Sequence, residues 1–125
     1  MADTGTRSFR IHFTGKENVD YAHTLQQVFV TAGIYRFTTF IRTQGITTDQ
    51  GVAIHIFDFE TPSRLNFKTD QFLGTTDWKR IEQTIRVPRE TRLLAIQLVR
   101  QPTRKFDNLV SGTAWIDHVS LAKME

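Results

Sequence analysis

Apolar and polar residues alternate one by one along most of this chain, and this period of two most constrains its fold. Phe9, Ile11 and Phe13 alternate with Arg10 and His12. Tyr35, Phe37, Thr39 and Ile41 alternate with Arg36, Thr38, Phe40 and Arg42. Val52, Ile54 and Ile56 alternate with Ala53, His55 and Phe57, and the pattern returns over 81–87 and 94–99. Successive side chains of a strand point to opposite faces, so these segments read as half-buried strands. No stretch holds a 3.6-residue apolar period beyond about two turns. Gly33, Gly45, Gly51, Gly74, Gly112, Pro62, Pro88 and Pro102 fall between the alternating segments, where turns belong. Short strands at this spacing predict an all-β fold. About eight of them in two antiparallel sheets would make a jelly-roll β-sandwich.

The 125 residues suffice for one domain over 1–125, with the polar residues 1–6 expected outside its folded part. Ten Phe and a 39% hydrophobic content are enough for a real core. There is no Cys, hence neither disulfide nor thiolate chemistry. No apolar run approaches the roughly 20 residues of a membrane span, and residues 1–8 hold no signal-peptide core. The chain is expected to be a domain of a longer protein. Its net charge of +3 gathers in 79–105, at Lys79, Arg80, Arg86, Arg89, Arg92, Arg100, Arg104 and Lys105. Such charge can attract nucleic acid or an anionic glycan. With no block of like charges, it reads first as solvated strand faces with charged edges.

Two segments, 43–51 and 58–72, are expected as loops, and long loops of a sandwich often carry function. Catalytic constellations are mostly absent: no nucleophile elbow, no zinc-protease helix motif, no phosphate-binding Gly-rich loop. Asp58 and Glu60 stand two apart, the one pairing of carboxylates suited to glycoside hydrolysis, or else a strand end entering a polar loop. Asp117 and His118 are neighbours on a strand, so their side chains are expected on opposite faces rather than as a dyad.

Three motifs then suggest a family. Gln26-Gln27-Val28-Phe29-Val30-Thr31-Ala32-Gly33-Ile34-Tyr35-Arg36-Phe37 resembles the opening of carbohydrate-binding modules with a galactose-binding-domain-like jelly roll. Gly74-Thr75 through Trp78 and Ile81 is similar to their Gly-Thr-x-x-Trp strand start. Gly112-Thr113-Ala114-Trp115-Ile116-Asp117-His118-Val119-Ser120-Leu121 is similar to their closing strand. The resemblance spans 26–121 and points to accessory domains of bacterial envelope or polysaccharide-related proteins. It implies an extracytoplasmic setting, Tyr35, Phe37, Trp78 and Ile116 as core, and Trp78 and Trp115 as pins of the scaffold. It also implies a structural calcium ion near Asp117. Against that stand a first strand without acidic residues and His118 where the family has a second Asp; calcium wants 6–8 oxygens.

The resemblance implies a noncatalytic sugar-binding module, not an enzyme. Sugar sites combine flat aromatics with planar polar groups. The alternation turns Phe29, Phe40, Arg42, His55, Phe57 and Gln97 outward, and these are the expected ligand-binding residues, taken as one face. The alternative is a structural or protein-interaction domain whose aromatic face meets a neighbouring protein domain. Single-stranded nucleic acid ranks third, because the motifs match another fold.

Overall fold

The structure is a computed structural model that describes residues 8–15, 21–47, 50–101 and 110–124. Residues 1–6, with Arg104 and Lys105, lie outside the described residues. Among the described residues eight strands follow one another: β1 (Ser8–Thr14), β2 (Tyr21–Phe29), β3 (Gly33–Ile46), β4 (Ala53–Asp58), β5 (Asn66–Lys68), β6 (Gly74–Val87), β7 (Leu93–Arg100) and β8 (Ser111–Lys123). A 3-10 turn, Pro62–Arg64, precedes β5. The strands form two four-stranded sheets, β1-β8-β3-β6 and β2-β7-β4-β5, all paired antiparallel. This is the expected jelly-roll sandwich.

The core follows from the alternation. Phe37, Ile41 and Ile116 of the first sheet and Ile54, Ile56, Leu94, Ile96 and Leu98 of the second are completely buried. Each such side chain contributes about 1.5–3 kcal/mol by leaving water. Tyr35 is buried too, and its hydroxyl closes the β2–β3 turn. It accepts from the Thr31 amide at 3.0 Å and donates to the Thr31 carbonyl at 3.1 Å. The threonines of Gly74-Thr75-Thr76 clip β6 to the far end of β3. Thr75 Oγ1 accepts from the Gly45 amide at 3.0 Å, and Thr76 Oγ1 lies 2.8 Å from Thr43 Oγ1.

Several expectations need correction. Residues 43–46 continue β3 rather than forming a loop, and the 58–72 excursion contains β5. Arg100, counted with the solvated charge, is buried at the end of β7, where its Nε donates to the Gln50 carbonyl at 3.0 Å. Trp78 is not core: it is 44% exposed. It sits on an edge strand at a bulge, where Asp77 and Trp78 together oppose Arg42 between the Ile41–Lys79 and Thr43–Thr76 pairs. Trp115 is not an inward pin either. Ala114 and Ile116 take the buried positions, so Trp115 must face out.

Candidate functional site: two outer sheet faces

The six expected ligand-binding residues do not share a face. Phe29, His55, Phe57 and Gln97 lie on strands of the β2-β7-β4-β5 sheet, Phe40 and Arg42 on β3 of the other. The two outer faces look in opposite directions, with the core between them. Alternation gives the side of a strand on which a residue lies, but strand order decides to which sheet the strand belongs.

On the β2-β7-β4-β5 sheet, register stacks the outward residues in rows. Thr24, Gln97, His55 and Lys68 form one row and Gln27, Ala95, Phe57 and Asn66 the next. Phe29 pairs with Leu93, whose carbonyl accepts from the Phe59 amide at 3.0 Å. The His55 and Phe57 rings stack with centroids 4.6 Å apart and planes 29° from parallel. His55 Nε2 lies 2.8 Å from Asn66 Oδ1, and the Gln97 amide donates to Thr24 Oγ1 at 3.2 Å. The fully buried Ala53 and Ala95 leave short side chains between these longer ones. Phe29 and Phe59, at 83% and 48% exposure, end the face in an apolar row. The result is a stacked pair of rings bordered by amides and a hydroxyl. Thr24, Asn66 and Phe59 were missed from sequence; Phe59 continues the outward parity of β4, whereas β5 is too short to show a period.

On the β1-β8-β3-β6 sheet, Trp115 of β8 lies between Arg10 of β1 and Arg42 of β3. The Arg42 guanidinium carbon stands 4.7 Å from the Trp115 ring centroid, a cation–π contact. Phe40 meets His118 edge-on at 6.0 Å. Arg36 and Arg80 are both taken by Glu82, at 3.0 and 2.8 Å. The Arg80 hydrogen bond leads in holding the Glu82 carboxyl below its usual range.

The expectation that Asp117 and His118 stay apart fails for a local reason. The β3–β8 register breaks beside Thr39, and His118 takes a left-handed backbone, φ 56°. Its Nδ1 comes within 3.2 Å of Asp117 Oδ1, which also accepts the His118 amide at 2.9 Å. Among the described residues no group of three His, Cys, Asp or Glu side chains gathers to hold a metal.

Asp58 and Glu60 are committed elsewhere. Asp58 is buried; its carboxylate accepts from the Glu60 and Thr61 amides at 2.9 Å each and from the Thr91 hydroxyl at 2.7 Å. Burial alone would raise its pKa. The hydrogen bonds from Thr91, Thr61 and Glu60, with Arg64 behind them, outweigh that and hold it below its usual value. Glu60 takes a two-point grip from Arg92, at 2.8 and 2.7 Å. Neither carboxylate is placed as a free acid or base. Among the described residues no helix is long and apolar enough to cross a membrane.

No protein-family model matches the sequence, and no curated protein is similar to it. Solved structures are similar in fold. A family 4 carbohydrate-binding module matches with TM-score 0.58 at 16% identity, covering 98% of this chain and 67% of that one. A family 16 carbohydrate-binding module matches with TM-score 0.60 at 9% identity, over 93% and 76%. A family 61 module, solved with β-1,4-galactotriose, matches with TM-score 0.54 at 16% identity, over 93% and 70%. Infectious bursal disease virus, Gt strain, also matches, with TM-score 0.55 over 96% of this chain but 31% of that one. The chain shares the two-sheet jelly-roll fold of these structures. The viral match shows that this scaffold also serves other ends.

Proposed function

We propose that residues 1–125 form a noncatalytic carbohydrate-binding module, an accessory domain that holds a glycan on the outer face of the β2-β7-β4-β5 sheet. One observation carries this reading: Phe29, His55, Phe57 and Gln97 lie on one sheet, with the His55 and Phe57 rings stacked on each other beside planar polar groups. Ring faces take the C–H side of a sugar, and the amides of Gln97 and Asn66 take its hydroxyls. A shallow face of this kind supports affinities of about 4–8 kcal/mol, millimolar to micromolar. The occupied state of Asp58 and Glu60 supports a binding rather than a hydrolytic role.

An array of neutral oligosaccharides followed by calorimetric titration tests it. Phe57→Ala should weaken binding about tenfold or more while costing about 1 kcal/mol or less of stability. A clean array would overturn the reading. The exposed Phe29 and Phe59, with the half-buried Leu93 between them, favour a second reading, a neighbouring protein domain docked on the same face. That reading predicts concentration-dependent association, lost in Phe29→Ala, with no glycan bound.

A further inference from the structure

The β1-β8-β3-β6 face has a different chemistry from the aromatic platform. Of its arginines, Arg36 and Arg80 share the one carboxylate of Glu82, whereas neither Arg10 nor Arg42 has an ion-pair partner among the described residues. These two flank Trp115 in one cross-strand row. Two interstrand steps separate their strands, about 9–10 Å, close to the length of a disaccharide. Trp115 fixes the Arg42 guanidinium over its ring, so little side-chain entropy remains to be lost when Arg42 takes a ligand. Beside Arg42 is a cavity of about 290 Å³ bounded by Thr43, Gln44, Thr75, Thr76 and Asp77. It is near the size of the smallest ligand pockets and is lined by hydroxyl and amide groups and the Asp77 carboxylate.

We propose that this face is a second site, which binds an acidic polysaccharide carrying a carboxylate on alternate sugars. The carboxylates sit on Arg10 and Arg42, each guanidinium offering its planar fork. Hydroxyls of the sugar at Arg42 reach the threonine-lined cavity. Charge spacing favours this polymer over a nucleic acid. A nucleic-acid strand carries a charge on every residue rather than on alternate ones and would set some of them against Asp117 and Glu82, which the registers place on neighbouring rows of the same face. The proposal does not depend on the aromatic platform of the other sheet.

The intact chain is titrated with chondroitin, with chondroitin whose carboxyls are reduced to alcohols, and with single-stranded DNA at equal charge and salt. Chondroitin should bind, and the carboxyl-reduced polymer should lose about tenfold or more. Arg10→Gln and Arg42→Gln should each weaken chondroitin about tenfold. Arg42→Lys should lose part of the affinity, because it keeps the charge and not the fork. Phe57→Ala should leave chondroitin binding unchanged, which separates failure here from failure of the platform. Arg10, on an exposed side chain, carries the test should Arg42→Gln disturb the fold. No binding of chondroitin, equal binding of the reduced polymer, or tighter binding of DNA would overturn the proposal.

Discussion

Asp58 joins three parts of the chain through one carboxylate: its own strand end, the Thr61 turn, and Thr91 ahead of β7. Removing the Thr91 hydroxyl leaves a buried carboxylate oxygen short of a donor. Thr91→Val should therefore cost about 1–3 kcal/mol in urea unfolding. Because the Asp58 carboxyl is held below its usual range in the folded state, its contribution is complete above the unfolded-state carboxylate value. It is lost as pH falls through the folded one. Urea midpoints should drop on acidification below the ordinary carboxylate range, and drop less steeply in Asp58→Asn; equal slopes would show that Asp58 does not carry the linkage. Sequence offered Asp58 and Glu60 as a spaced pair of acids. It held no sign that Arg92 and Thr91, about 30 residues on, would claim them, because those contacts exist only after β4 and β7 pair.

Single strands were legible where parity ran unbroken, as in β3 from Tyr35 to Ile41 and in β7, whose inward residues are the ones the alternation picked. They were not legible where parity broke. At His118 a left-handed residue turns the strand and brings two neighbours to one side. At Asp77 and Trp78 a bulge on an edge strand leaves the Trp in solvent. Trp115 could have been placed from its neighbours, since the inward Ala114 and Ile116 leave it no other side. The Gly-Thr motifs show what holds such strands in register. Gly112 has φ +111°, and a Cβ there would stand 2.5 Å from the Gly45 carbonyl oxygen. Gly74, at φ +63°, has nothing within 4 Å of the same position. Gly74→Ala should therefore show only the left-handed backbone cost, about 1 kcal/mol, and Gly112→Ala on the order of 2 kcal/mol or more. Thermal unfolding of the pair checks this; equal losses would mean that β8 and β3 do not approach as closely as described.

At the scale of the whole molecule, the jelly-roll order splits the residues that alternation alone puts on one face. β3 and β4 are consecutive, yet they belong to different sheets, so Phe40 and Phe57 look away from each other across a sandwich about 10 Å thick between sheets. Alternation carries no information about that crossing, which is set by which strand finds which partner. Energetic coupling reports it directly. Sites this far apart without shared partners should add within about 0.3–0.5 kcal/mol. Phe40→Ala and Phe57→Ala, made singly and together, should then give stability losses that sum. Arg42→Ala and Trp115→Ala share one face and one cation–π contact, so their double variant should lose less than the sum, by about 0.5–1 kcal/mol. Denaturant unfolding of both cycles decides the arrangement. Coupling between Phe40 and Phe57 would place them on one face after all, and additivity of Arg42 with Trp115 would mean that the guanidinium does not rest on the ring in solution. The expected pattern, coupled within a face and independent across the core, is what the two proposed sites require in order to bind without competing.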